Sequence, residues 1–169
     1  MKTKLQKQEE LKKGEAMAET SAGVILVDFS KVKTADLRNL RRDLTRDKNP
    51  LFIMKKQLLG LMLTKRGAQF SGADFKTSVG AVFVSNFESA ASAVYKFFKG
   101  MEKEKKIEGK KILGAYDFAN GNVFMPKEQV EFLGSLPPRE VLLGQLFAMI
   151  AAPIKSFLYV LDQKAKQAK

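Results

Sequence analysis

Apolar and polar positions fall along this chain in blocks whose spacing changes from one element to the next. Residues 4–20 carry Leu5, Leu11 and Met17 sparsely among charged neighbours, the pattern of a charged helix. "GVILVDF" at 23–29 is an apolar, β-branched-rich run and reads as a buried strand. In "TADLRNLRRDLTRD", Leu37, Leu40 and Leu44 recur at helical spacing, with Thr34 as N-cap and Asp36 in the first turn. Past Asn49-Pro50, "LFIM" predicts a second short strand that runs directly into Lys55, Lys56 and a leucine-rich helix. A third strand is expected in "SVGAVFVS" at 78–85, and a helix from Phe87 to Lys103. "KKILGAYDF" and "NVFM", split by Ala119-Asn120-Gly121, have the form of a hairpin, and Pro126 stands where the N1 residue of "PKEQVEFLGS" belongs.

This alternation predicts the α/β class: a single α/β domain over 1–135, with a mixed central sheet flanked by helices. Leu136-Pro137-Pro138 marks its end, because paired prolines stop one helix and can begin another. Residues 136–169 are then expected to form a long protruding amphipathic helix.

On a helical wheel that last segment separates into two sides. Leu142, Leu143, Leu146, Phe147, Met149, Ile150, Ile154, Phe157, Leu158, Val160 and Leu161 share one; Gln145, Lys155, Ser156 and Asp162 lie on the other. An apolar arc of about half the circumference is too wide for a solvated surface helix. Three readings compete. The segment is long enough for a membrane tail anchor, although a lone spanning helix has no use for a polar side. It could pack back on its own domain, as most amphipathic helices do. Or it is offered to partner proteins through anchors at i, i+3, i+4 and i+7, which keep the chain soluble by covering the stripe. Pro153 divides the stripe into 142–150 and 154–161, a layout that suits two partners side by side.

Charge sharpens the picture. Over 169 residues, 30 Lys+Arg against 18 Asp+Glu leave +12, which favours a polyanionic partner. Residues 1–66 hold 16 of the basic residues and 8 of the acidic ones, so the anion-binding face is expected there. Arg38, Arg41 and Arg42 at i, i+3 and i+4 bring their guanidiniums together. Lys55 and Lys56 open a helix where the dipole disfavours cations unless an anion is bound nearby. Lys2, Lys4 and Lys33 extend this basic set, whose pattern suits phosphate contacts better than base reading. "EKEKKIEGKK" at 102–111 mixes signs and reads as a solvated loop.

Candidate chemistry is sparse. With no cysteine and no histidine, disulfides, Cys/His zinc sites, thiol nucleophiles and imidazole bases are all excluded. No close carboxylate pair stands out and neither a P-loop nor a dinucleotide glycine pattern is present, so neither an enzyme nor a bound cofactor or metal is expected. The start of the chain lacks an apolar signal core, which points to the cytoplasm.

"LPPREVLLGQLFAMIAAPIKSFLYVL" resembles the C-terminal signature of bacterial large-subunit ribosomal protein ten, the family at the base of the ribosomal stalk. "VILVDF", "LRRDL", "FIMKKQLL" and the strand around Gly80 follow in the family's order over most of the chain. The resemblance implies a non-enzymatic ribosomal scaffold in the cytoplasm. Its α/β domain would bind large-subunit (23S) rRNA beside a neighbouring stalk-base protein, number eleven of the series. Its last helix would carry dimers of the acidic stalk protein, seven/twelve of the series, which recruit translational GTPases. Where the family has Lys-Asn-Thr-Leu, this chain has Lys55-Lys56-Gln57-Leu58, so Lys55 is the first RNA contact carried over, with Arg41 next.

Overall fold

A computed structural model describes residues 3–30, 32–68, 77–103 and 111–167. Two compact units emerge, Met1–Leu136 and Pro137–Lys169.

The first unit is a five-stranded sheet with helices on both faces. Its elements are α1 (Lys4–Thr20), β1 (Gly23–Asp28), α2 (Thr34–Arg46), β2 (Leu51–Phe52), α3 (Lys56–Lys65), β3 (Val79–Val84), α4 (Phe87–Lys103), β4 (Ile112–Asp117), β5 (Val123–Pro126) and α5 (Lys127–Ser135). The strands lie in the order β2-β3-β1-β4-β5. The α/β class stands as read, but every described ladder is antiparallel rather than part parallel. The reason is topological. β1 and β2 run the same way, as a helical crossover requires, yet β3 inserts between them and opposes both.

All six residues of β1 and all six of β3 are buried, because helices cover both of their faces. Ile25, Val27, Val82 and Val84 meet Leu40 and Leu44 of α2, Ala90, Ala91 and Val94 of α4, and Val130 of α5. On the other face Val24, Leu26, Ala81 and Phe83 meet Ala18 of α1 and Leu59, Met62 and Leu63 of α3. In α1 the buried contacts come from Gly14 and Ala18, while Leu5 is 71 % exposed.

Several boundaries differ from the sequence expectation. Lys33, not Thr34, is the N-cap of α2, and no side chain closes it. The "LFIM" strand stops after Phe52, since Met54 turns into the α1–α3 core just before α3 begins. Pro126 ends β5 and serves as the N-cap of α5, one place before N1, with an extended backbone at φ −65° and ψ 159°. Of the loop expected at 102–111, Glu102 belongs to α4, 104–110 lie outside the described residues, and Lys111 is buried. Lys111 is drawn in because its backbone carbonyl accepts from Asp28 N–H at 2.7 Å and its ammonium faces the Asp28 carboxylate.

The second unit is one helix, α6 (Arg139–Gln167), which continues through Pro153. None of its described residues is buried, and by length and composition it could cross a membrane.

Candidate functional site

The basic residues on α2 and at the start of α3 line two separate concavities. Successive turns of α2 bring Arg38, Arg41, Arg42 and Arg46 around one shallow concavity, with Thr45 between them and no carboxylate in the lining. All four arginines are exposed, because Leu40 and Leu44 turn the opposite side of the helix into the core. Thr45 Oγ1 donates to the Arg41 carbonyl at 2.7 Å, so the hydroxyl is taken up locally and the guanidiniums supply the donors. Asp43 and Asp47, which partly offset this charge in the sequence, lie outside the concavity. Arg46 joins the three arginines grouped by spacing in the sequence, since Arg38, Arg42 and Arg46 repeat at i, i+4 and i+8.

The second concavity sits at the end of the sheet where β1 stops and β3 begins. Phe29, Met54, Lys55, Lys56, Gln57, Ser78 and Val79 line it. Phe29 N–H donates to the Ser78 carbonyl at 3.2 Å, which fixes the floor. Lys55 is the N-cap of α3, has no side-chain cap bond, and is followed by no acidic residue in the first turn. The leading N–H groups of α3 therefore meet neither a capping side chain nor a first-turn carboxylate, and two lysines stand beside them. That arrangement suits an anion such as a phosphate group.

The sequence grouped the arginines with Lys55 and Lys56 as one footprint. The fold instead sets α2 and α3 on opposite faces of the sheet, although both helices start from the same end of it. Lys33 stands at that end too, just past a turn closed by Val32 N–H to the Phe29 carbonyl at 3.2 Å. In the chain, α2 is joined to α3 through β2, an edge strand of the sheet. Lys4 opens α1, and Lys2 lies outside the described residues.

In the second unit the stripe anchors are exposed throughout. Leu142 is 36 % exposed, Leu146 49 %, Phe147 69 %, Ile150 65 %, Ile154 64 % and Phe157 64 %. Leu143, Leu158 and Leu161 are exposed as well.

The model of the family "Ribosomal protein L10" matches residues 2–99. Among similar proteins, the large ribosomal subunit protein uL10 of Leuconostoc citreum is 31 % identical, over 88 % of this chain and 79 % of its own length. That of Thermotoga neapolitana is 28 % identical over 96 % of this chain and 89 % of its own. The Mycoplasma pneumoniae protein of the same description is 23 % identical over 96 % of each. With this match and these relatives, the chain belongs to the ribosomal protein L10 family, as a structural, non-enzymatic constituent of the large ribosomal subunit in the cytoplasm.

Proposed function

We propose that the chain is a two-part scaffold of the stalk base: residues 1–135 bind large-subunit rRNA, and residues 136–169 carry dimers of the acidic stalk protein. The observation behind the second half is the apolar stripe of α6, whose anchors are all exposed and stand at helical docking intervals. Arg38, Arg41, Arg42, Lys33, Lys55 and Lys56 are the phosphate contacts, with Lys2 and Lys4 adding charge at the start of the chain. The RNA is gripped from both faces of the sheet, which favours a folded junction over a straight duplex. A neighbouring stalk-base protein, number eleven of the series, binds beside it.

Stalk dimers seat on Leu142, Leu143, Leu146, Phe147 and Ile150 before Pro153, and on Ile154, Phe157, Leu158 and Leu161 after it. Native mass spectrometry of the chain co-expressed with its cognate stalk protein tests this. An even number of partner copies is expected on the full chain and none on a chain ending at Ser135. A full-length chain that stays alone would remove the scaffold reading. A tail anchor is the second reading, since α6 is long and apolar enough to span a bilayer. Carbonate-resistant association with membranes would favour it, and a soluble complex would end it.

A further inference from the structure

Six methionines have described side chains, and they are not equally accessible. Met54, Met62 and Met101 are 6 %, 1 % and 6 % exposed, Met17 and Met125 are half-buried, and Met149 is 66 % exposed. Met149 lies on α6, one turn after Leu146 and two turns after Leu142, at the border of the apolar stripe and ahead of Pro153. We propose that Met149 is an oxidation-sensitive position in the first half of the stripe, where conversion to the sulfoxide releases one docked partner. The proposal rests on the docking reading of α6 given above.

The chemistry needs a peroxide as oxidant. One peroxide oxygen forms a bond to Met149 Sδ, the O–O bond breaks, and the other oxygen leaves as water; the thioether is oxidised and the peroxide reduced. The product is polar and chiral where an apolar, adaptable side chain stood. Docking would then bury an S=O group without a hydrogen-bond partner, a penalty that translates to roughly tenfold weaker binding. Residues 154–161 contain no methionine, so the second half of the stripe is spared. A docked partner covers Met149 and protects it, so the unassembled chain is the sensitive form.

The test treats the purified full chain with hydrogen peroxide, removes the peroxide, and then adds untreated stalk protein. Among the six methionines with described side chains, peptide mass spectrometry should place the first added oxygen on Met149. Native mass spectrometry should show fewer bound copies with the second half still loaded, and methionine sulfoxide reductase should restore the lost copies. A Met149→Leu chain, with its own untreated binding as the reference, should lose no partner copies to peroxide. If the Met149→Leu chain loses partners to peroxide as readily, or if a docked partner leaves the oxidation rate of Met149 unchanged, the inference fails alone. If the untreated chain binds no partner, the docking reading fails and takes this inference with it.

Discussion

Lys111 Nζ stands 3.4 Å from Asp28 Oδ2, with both residues buried, and joins the end of β1 to the residue just before β4. Ser30 completes the arrangement, its N–H and Oγ donating to Asp28 Oδ1 at 2.8 and 2.6 Å. Burial pushes the Asp28 carboxyl up, but the two Ser30 bonds and the Lys111 charge outweigh it and hold the group below its ordinary value.

A carboxyl depressed in the folded state contributes stability above the unfolded value of about 3.9, and loses it as pH falls through the lower folded value. Asp28→Asn is therefore expected to destabilise the chain at pH 7 by about 3 kcal/mol, because it leaves the Lys111 ammonium buried without its counter-charge. In urea unfolding the gap to the parent chain should narrow toward pH 3. The paired change Asp28→Leu with Lys111→Met should recover most of the loss, and a paired variant as weak as the single one would count against this account.

Asn49 is fully buried and ties α2, β3 and α4 together. Its Oδ1 accepts from Ser85 N–H at 2.9 Å, and its Nδ2 donates to Ser89 Oγ at 3.3 Å. Asn49→Ala should lower stability by about 2 kcal/mol, through the loss of both hydrogen bonds and the space left at a fully buried position. Ser89→Ala should have a smaller effect, and thermal unfolding of the two variants gives the ranking.

Gly134 lets α5 approach α4 closely, since a Cβ there would lie 2.6 Å from the Ala91 carbonyl oxygen and 2.5 Å from Tyr95 Cβ. Gly134→Ala should destabilise by about 1–3 kcal/mol, as a backbone atom cannot move aside as a side-chain tip can. Gly100→Ala meets no atom within 4 Å and should be neutral or slightly stabilising, which makes it the control.

Because Arg41 and Lys55 sit on helices covering opposite faces of the sheet, their contributions to RNA binding should be independent. Arg41→Gln and Lys55→Gln should each weaken binding and make the log–log salt dependence shallower by about 1. The double variant should show the sum of the two free-energy losses. Arg41→Gln with Arg42→Gln, two changes around one concavity, should deviate from additivity. Filter binding across a salt series measures all four chains.

The two halves of the α6 stripe should fail separately. Leu146→Asp should remove partner copies from the first half and Phe157→Asp from the second, each leaving the other half loaded, as counted by native mass spectrometry. Simultaneous loss in either single variant would show that the halves act as one unit.

The sequence by itself determined the class, the order of the elements and most of their bounds. Local rules suffice for that: the short, β-branched apolar runs "GVILV" and "VGAVFV" fit covered strands, and Leu40 and Leu44 commit one side of α2 to the core. The α6 stripe and the arginine spacing were legible for the same reason, since a helix converts sequence interval directly into a shared side. Tertiary structure decided what no interval encodes. Strand directions depend on β3 inserting between β1 and β2, a pairing between segments far apart in the chain. Lys111 could be recognised as buried only once β4 lay beside β1, because a lone lysine in a charged run carries no local sign of a carboxylate waiting for it. The division of the basic residues into two clusters has the same origin: α2 and α3 are neighbours in sequence, and the sheet they cover from opposite sides keeps them apart.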